Sequence, residues 1–192
     1  REITTIGDER ISKKILLAGV FKRTYVDEDY GYPFLGGKEI TQLNPVTEKY
    51  LSKSIHKIRY EKELKVEENI ILVSDRGTIG TVAIVPKHWD GYAVSQNVLK
   101  LIPASNEIAG YLYIYLNSDY GKMLVRGQTY GSVVNMIDDR SLSSVQIPLL
   151  KCKKTQEKIN ELALEANKKR YDAYLYEKQA LQILDEEIIY AK

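Results

Sequence analysis

Residues Glu68–Pro86 read ENIILVSDRGTIGTVAIVP. Two apolar runs, Ile70 to Val73 and Val82 to Val85, flank a polar elbow of Ser74, Asp75, Arg76, Gly77, Thr78 and Gly80. Such an elbow can be a phosphate cradle, a catalytic loop or a turn between strands. A phosphate-binding P-loop follows its second glycine with Lys and then Ser or Thr, for the phosphates and the magnesium. Here Gly80 is followed by Thr81 and Val82. A dinucleotide fingerprint needs G-x-G-x-x-G opening a helix. Thr81, Val82, Ile84 and Val85 are β-branched and favour a strand. The elbow therefore reads as a tight strand-to-strand connection, its glycines admitting backbone angles closed to other residues.

Outward from this hairpin, GYAVSQNVLKLIP reads as another strand. NEIAGYLYIYLNSDYGKMLVRG carries Ile108, Leu112, Ile114, Tyr115, Leu116 and Met123 at helical spacing. GSVVNMIDDRSLSSVQIPLL closes the segment with short β elements. On the N-terminal side, SIHKIRY alternates polar and apolar as a half-buried strand does. YPFLGGKEI reads as a strand entering a Gly36-Gly37 turn, and Val20 to Tyr32 as a polar loop. Asp8 is placed to cap a short helix through Ile11, Ile15 and Ala18, stopped by Gly19. The mixture predicts an α+β fold over residues 1–150, a curved and mostly antiparallel β-sheet domain with flanking helices.

Composition changes near residue 150, beyond which neither Gly nor Pro occurs. Thr155 to Ala191 are mostly strong helix formers. They predict one helix of roughly 55 Å at 1.5 Å per residue, so residues 151–192 are expected to project as a long C-terminal α-helix. Its apolar stripe runs through Ile159, Leu162, Ala163, Ala166, Ala173, Tyr174, Ala180, Leu181, Leu184 and Ile188, interrupted by Arg170 and Glu177. Two arrangements suit this stripe: packing on its own domain, or pairing with another long helix as an antiparallel coiled coil. In an antiparallel pair centred between Ala173 and Tyr174, Arg170 of one chain approaches Glu177 of the other, setting register.

The chain has 192 residues, 44% of them hydrophobic, enough for one compact domain and an extra element. It begins with Arg1, the expectation for a processed or excised piece. No run approaches the roughly 20 apolar residues of a membrane-spanning helix, and no signal peptide opens the sequence. A single cysteine, Cys152, precludes an intramolecular disulfide framework and fits a cytoplasmic setting. With only His56 and His88 beside it, a zinc site is not expected. Neither G-x-S-x-G nor H-E-x-x-H occurs. Both histidines adjoin lysines and read as surface residues, and Asp138-Asp139 as a helix or turn start. Asp185, Glu186 and Glu187 splay around a helix axis and cannot converge on one ion. The sequence thus offers no catalytic residue, no metal ligand set and no cofactor motif. Net charge is only +2, so an anionic partner must be met by local patches such as Lys13, Lys14, Lys22 and Arg23, or Lys122 and Arg126. The 15 tyrosines suit interfaces as well as half-buried core.

Several segments in order resemble one family. The Glu68–Pro86 stretch resembles the strand, R/x-G-x-x-G turn and strand of target-recognition domains in type I restriction-modification specificity subunits. YAVSQNVLKLIP is similar to the strand that follows there, with Ser95, Gln96 and Asn97 on its polar-Asn pattern. AGYLYIYLNSDYGKMLV resembles the next helix, GQTYGSVVNMIDDRSLSSVQIPLL the closing signature, TQEKINELAL the opening of the spacer helix, and GVFKRTYVDEDYGYPFLGGKEI the entry loop. Two departures stand out: the Pro-Leu-x-x-Gln junction is stretched to IPLLKCKKTQEKI, and one recognition domain with one helix is present where such subunits commonly carry two of each.

The resemblance implies a non-catalytic, half-specificity subunit reading half of a bipartite site in double-stranded DNA. It also implies docking to methyltransferase subunits, through them to restriction subunits, and pairing as a homodimer or with a second specificity half. Loop positions able to reach DNA are Lys22, Arg23, Gly37, Lys38, Arg76, Thr78, Gln128, Thr129, Tyr130 and Ser132. Arg reads guanine and Gln reads adenine by paired hydrogen bonds, and backbone amides near Gly37 or Gly131 suit phosphate oxygens. Arg76 has a second reading, bracing the elbow through backbone carbonyls; Gln96 and Asn97 have one as sheet-edge stabilisers. The rival function is a non-catalytic protein-interaction module with a β-rich head and a coiled-coil stalk.

Overall fold

The computed structural model of the chain describes residues 1–42, 44–45, 47–76, 78–131 and 135–189. The hairpin comes out as expected: β6 (Ile71–Ser74) and β7 (Val82–Ile84) pair antiparallel, with Leu72 opposite Ala83. Two further strands, β2 (Ser12–Leu16) and β9 (Val98–Pro103), complete a sheet of order β2-β9-β6-β7. Every residue of β6 is buried, because this sheet is covered on both faces. Ile71, Val73, Leu99 and Leu101 feed one core; Ile70, Leu72 and Val98 feed a second, as the two-residue period of a strand requires. Lys100 lies on the second face, 5% exposed. Its ammonium donates to the Lys65 carbonyl at 2.8 Å, and burial pushes its pKa down to about 8.

A second sheet of order β3-β5-β4-β8 comprises β3 (Tyr25–Val26), β4 (Gly31–Leu35), β5 (Tyr50–Ser52) and β8 (Ala93–Val94). Only its β4–β8 pair is parallel. β1 (Glu2–Thr5) pairs antiparallel with β10 (Gln146–Leu149), and this ribbon closes the first core. The architecture is α+β, with antiparallel pairing prevailing over three sheets and a long C-terminal helix.

Three local expectations are corrected. The segment after Asp8 is a turn leading into β2, not a helix. The Asp8 carboxylate accepts from the Arg10 backbone amide at 2.9 Å and from its guanidinium at 2.7 Å, fixing an Asx-type turn, and β9 then claims residues 12–16. SIHKIRY is not a strand: Lys53–Arg59 form helix α1, with the Ser52 hydroxyl accepting from Ile55 N. Its isoleucines face outward, whereas His56 is buried and its Nε2 accepts from Thr24 N at 3.1 Å. His56 is therefore no surface residue, and burial pushes its pKa down. GYAVSQNVLKLIP is two strands, β8 and β9, in different sheets; Ser95, Gln96 and Asn97 form the turn between them.

The helical segment divides at Ser118 into α2 (Asn106–Asn117) and α3 (Asp119–Gly127), the second capped by the Ser118 hydroxyl. Asp138 caps the short α4 (Asp139–Ser143) through Ser141 N.

The long helix α5 (Lys153–Leu184) has 32 residues, about 48 Å at 1.5 Å per residue, and continues as a π turn over Asp185–Ile189. Its first half lies on the head. Asn160 Oδ1 accepts from Gly110 N and Tyr111 N, and its Nδ2 donates to the Asn106 carbonyl. A Cβ at Gly110 would stand 2.3 Å from the Asn160 carbonyl oxygen, so glycine there lets α2 and α5 meet. Ala163 is packed in the first core, with Ile159 half-buried against it. Asn167 Nδ2 donates to the Val85 carbonyl at 2.9 Å and to Asn69 Oδ1 at 3.1 Å. Tyr174 stacks on His88, ring centroids 4.4 Å apart. Asn160, Asn167 and Tyr174 recur every seven residues, so a largely polar line grips the head. Beyond it, Leu175, Tyr176, Leu181, Leu184 and Ile188 are exposed.

Candidate nucleic-acid interface

The elbow is built from hydroxyls and one buried carboxylate. Ser74 Oγ and Thr81 Oγ1 both donate to the Thr78 carbonyl, at 2.6 and 2.8 Å, and Gly80 takes a φ of +78° that disfavours a side chain. Asp75 is clamped by its main chain: its N–H donates to the Asn97 carbonyl, and its own carbonyl accepts from Ile137 N, both at 3.1 Å. Its side chain is 1% exposed. Among the described residues, Arg76 bonds no backbone carbonyl; its partner is the Asp75 carboxylate. Its Nε and Nη2 donate to Asp75 Oδ2 at 2.9 and 2.7 Å, and its side chain stays 40% exposed. These bonds push the guanidinium pKa further up.

Arg76 and Thr78 line an open groove of about 580 Å³ together with Gly37 and Lys38, which follow β4. Those four predicted positions, drawn from two distant segments, share one groove. Thr41, Gln42, Ser74, Thr81 and Asn97 complete the lining. At one end the groove adjoins a hollow of about 490 Å³ lined by Thr78, Ile79, Arg126, Thr129 and Asn135, where Arg126 Nε donates to the Ile79 carbonyl. Thr41, Gln42 and Thr81 are shared with a third hollow of about 330 Å³ reaching Tyr113 and Arg170 beneath α5. Among the described residues, no Asp or Glu lines any of the three. Lys38, Arg76, Arg126 and Arg170 are their cations. A trough of hydroxyls, amides and cations free of carboxylates suits a polyanion.

The remaining predicted positions are distributed differently. Tyr130 bonds Met136 through both backbone groups, and loss of hydration, followed by its pairing with the Asp138 carboxylate, raises the phenol's pKa. Gln128 is exposed and its Oε1 accepts from Ser144 Oγ at 3.3 Å. Lys22 and Arg23 line none of the three hollows; the Arg23 guanidinium lies 5.5 Å from the centre of the Phe34 ring. Ser132 lies outside the described residues. Asp75 and Gln42 were not singled out by sequence. Asp75 left one signal, an acidic residue directly ending an apolar strand, which must find a partner when buried.

On the stalk, both members of the expected cross-chain pair are engaged within the chain. Arg170 Nη2 donates to the Tyr113 hydroxyl at 3.2 Å, with its guanidinium 5.6 Å from that ring's centre. Glu177 accepts from the Asn44 side-chain amide. Leu162 and Ala166 face solvent.

Residues 17–181 match the type I restriction modification DNA specificity domain. The chain belongs to this family. The match takes in the elbow, the groove and nearly all of α5. Three solved structures share the specificity-domain fold. One is a chain from work on complex assembly and conformational transition of the type I R-M system, at TM-score 0.63 and 18% identity over 96% of this chain. The second is the S subunit of a type I restriction-modification system from M. genitalium, at 0.53 and 15% over 97%. The third is the HsdS subunit from Thermoanaerobacter tengcongensis, at 0.58 and 16% over 90%. This chain spans 43%, 43% and 39% of them, respectively. A comparison with curated proteins gives no match. Among the described residues, no helix is long and apolar enough to cross a membrane.

Proposed function

We propose that this chain is a half-specificity subunit of a type I restriction-modification system. Residues 1–150 read half of a bipartite duplex DNA target, and residues 151–192 space that head from a second one. The chain acts by binding and leaves bond chemistry to methyltransferase subunits docked on it, and to restriction subunits recruited through them. The observation that carries the DNA reading is the trough in which Lys38 and Arg126 sit among hydroxyls and amides, with no Asp or Glu among its described lining residues and the Arg76 guanidinium paired to Asp75 in its wall. Membership of a DNA specificity family supports it.

The uncovered end of the stalk supports pairing with a second copy or a second specificity half. Leu181, Leu184 and Ile188 repeat at helical spacing and are exposed, so antiparallel stalks would bury them and present two heads to a two-fold site. Arg170 and Glu177, already engaged in the chain, would have to exchange partners to set its register.

Binding to randomised duplexes at graded salt tests the function. A specific reader enriches one sequence while its affinity falls steeply, by roughly 10³-fold or more between 50 and 200 mM salt for six or more phosphate contacts. Equal, feeble binding to every duplex refutes DNA reading and favours a protein-interaction module. Methyl transfer or strand cleavage by the purified chain alone refutes the non-catalytic assignment.

A further inference from the structure

We infer that Arg76 reads a guanine in the major groove and that Asp75 is its positioning residue; this rests on the DNA-reading function proposed above. The argument begins with which edge of the guanidinium is taken. Asp75 Oδ2 accepts from Nε and Nη2 at 2.9 and 2.7 Å, which is the side edge of the plane. An arginine has five N–H donors in a fixed fork. The end edge, with one N–H each from Nη1 and Nη2, is left pointing away from the carboxylate. Those two parallel donors are the pair that meets O6 and N7 of guanine. No described residue accepts a hydrogen bond from Nη1.

The mount is rigid. The Asp75 carboxylate is 1% exposed, and its backbone is held on both sides by Asn97 and Ile137. Arg76 therefore has little rotamer freedom to lose on binding. Charge argues the same way. A carboxylate at bonding distance cancels much of the long-range field that would draw a phosphate, yet leaves the directional donors intact. Phosphate contacts gain chiefly from charge, base contacts from geometry. Lys38, in the lining of the same groove, has no ion pair among the described residues and is the better phosphate contact. Arg76 thus stands as a neutralised, pre-aimed fork in the groove's wall.

The test starts from the duplex that the wild-type chain selects and substitutes its guanines one at a time. Replacing one guanine with 7-deazaguanine, which lacks N7, is expected to weaken wild-type binding roughly tenfold. Inosine at the same position keeps the major-groove edge and is expected to leave affinity within about twofold. Arg76→Met keeps the side-chain length but has no donor, so guanine preference there should vanish, whereas Arg76→Lys, whose ammonium still reaches O6 or N7, should keep part of it with an unchanged salt slope. Asp75→Asn should lower the same preference more than it lowers affinity for unrelated duplexes, an effect that general loss of folding would not produce. The inference is overturned if no guanine is sensitive to 7-deazaguanine, a result that needs no variant to fold. It is equally overturned if Arg76→Met keeps every base preference, or if Arg76→Ala weakens all duplexes alike and reduces the salt slope by about one ion. A wild type that selects no sequence refutes the parent function instead, whereas selection indifferent to Arg76 refutes this inference alone.

Discussion

The start of α5 and its far end belong to one continuous helix and differ in what covers them. Over the first half, Asn160, Ala163 and Asn167 are buried at 6%, 3% and 1% exposure. Over the last turns, Leu181 and Ile188 stand 61% and 70% exposed. Asparagines are gripped where leucines are left open. The grip works because each buried amide finds hydrogen-bond partners on the head, Asn160 on the backbone of α2 and Asn167 on the Val85 carbonyl and the Asn69 side chain. A polar group satisfied in this way costs little to bury, whereas removing it strands its partners. The open leucines instead carry apolar surface that gains only if something else covers it.

Substitutions along the helix should follow that gradient. Gly110→Leu drives a side chain into the Asn160 carbonyl and is expected to cost about 3 kcal/mol or more in a denaturant titration. Asn167→Ala leaves the Asn69 amide oxygen without its donor and the Val85 carbonyl with only the Asn69 backbone N–H, for about 2 kcal/mol by the same measurement. Tyr174→Ala removes the stack on His88 where the grip ends, and about 1 kcal/mol is expected. The double change Leu181→Glu and Leu184→Glu should move monomer stability by no more than about 0.5 kcal/mol. It should, however, abolish self-association in light scattering. If it destabilises the monomer as much as Asn167→Ala does, the two halves are not distinct. If it leaves association untouched, pairing through the stalk tip is wrong.

The same contrast separates what was legible from what was not. Ile70–Val73 and Val82–Val85 announced a hairpin because β-branching and glycine act on the backbone nearby. Thr155 onward announced a helix for an equally local reason, the sum of propensities without Gly or Pro. SIHKIRY misled because its alternation carried less weight than one Ser52 hydroxyl at the helix start, and because His56 rather than Ile55 turned inward. The stripe on α5 was visible, yet periodicity cannot say whether a face covers its own domain or another chain. It also gave no hint that asparagines would do the gripping. In the groove, Arg76, Thr78, Gly37 and Lys38 were named as polar loop residues. Asp75 was named in the elbow but not as a site residue, since an Asp beside an Arg is ordinary until the fold buries it.

By itself the sequence determined the elements set by neighbours along the chain: a hairpin whose elbow lacks the Lys of a nucleotide cradle, a mixed β-rich head and one uninterrupted helix. Tertiary structure alone decided which distant groups meet. It set Lys38 and Arg76 in one groove, bonded Asn97 and Ile137 to the backbone of Asp75, and put Asn160 against Gly110. Local preference is a sum over adjacent residues and can be read in order. Burial of a charge or an amide depends on whether a partner from elsewhere in the chain arrives to satisfy it, and no spacing records that arrival.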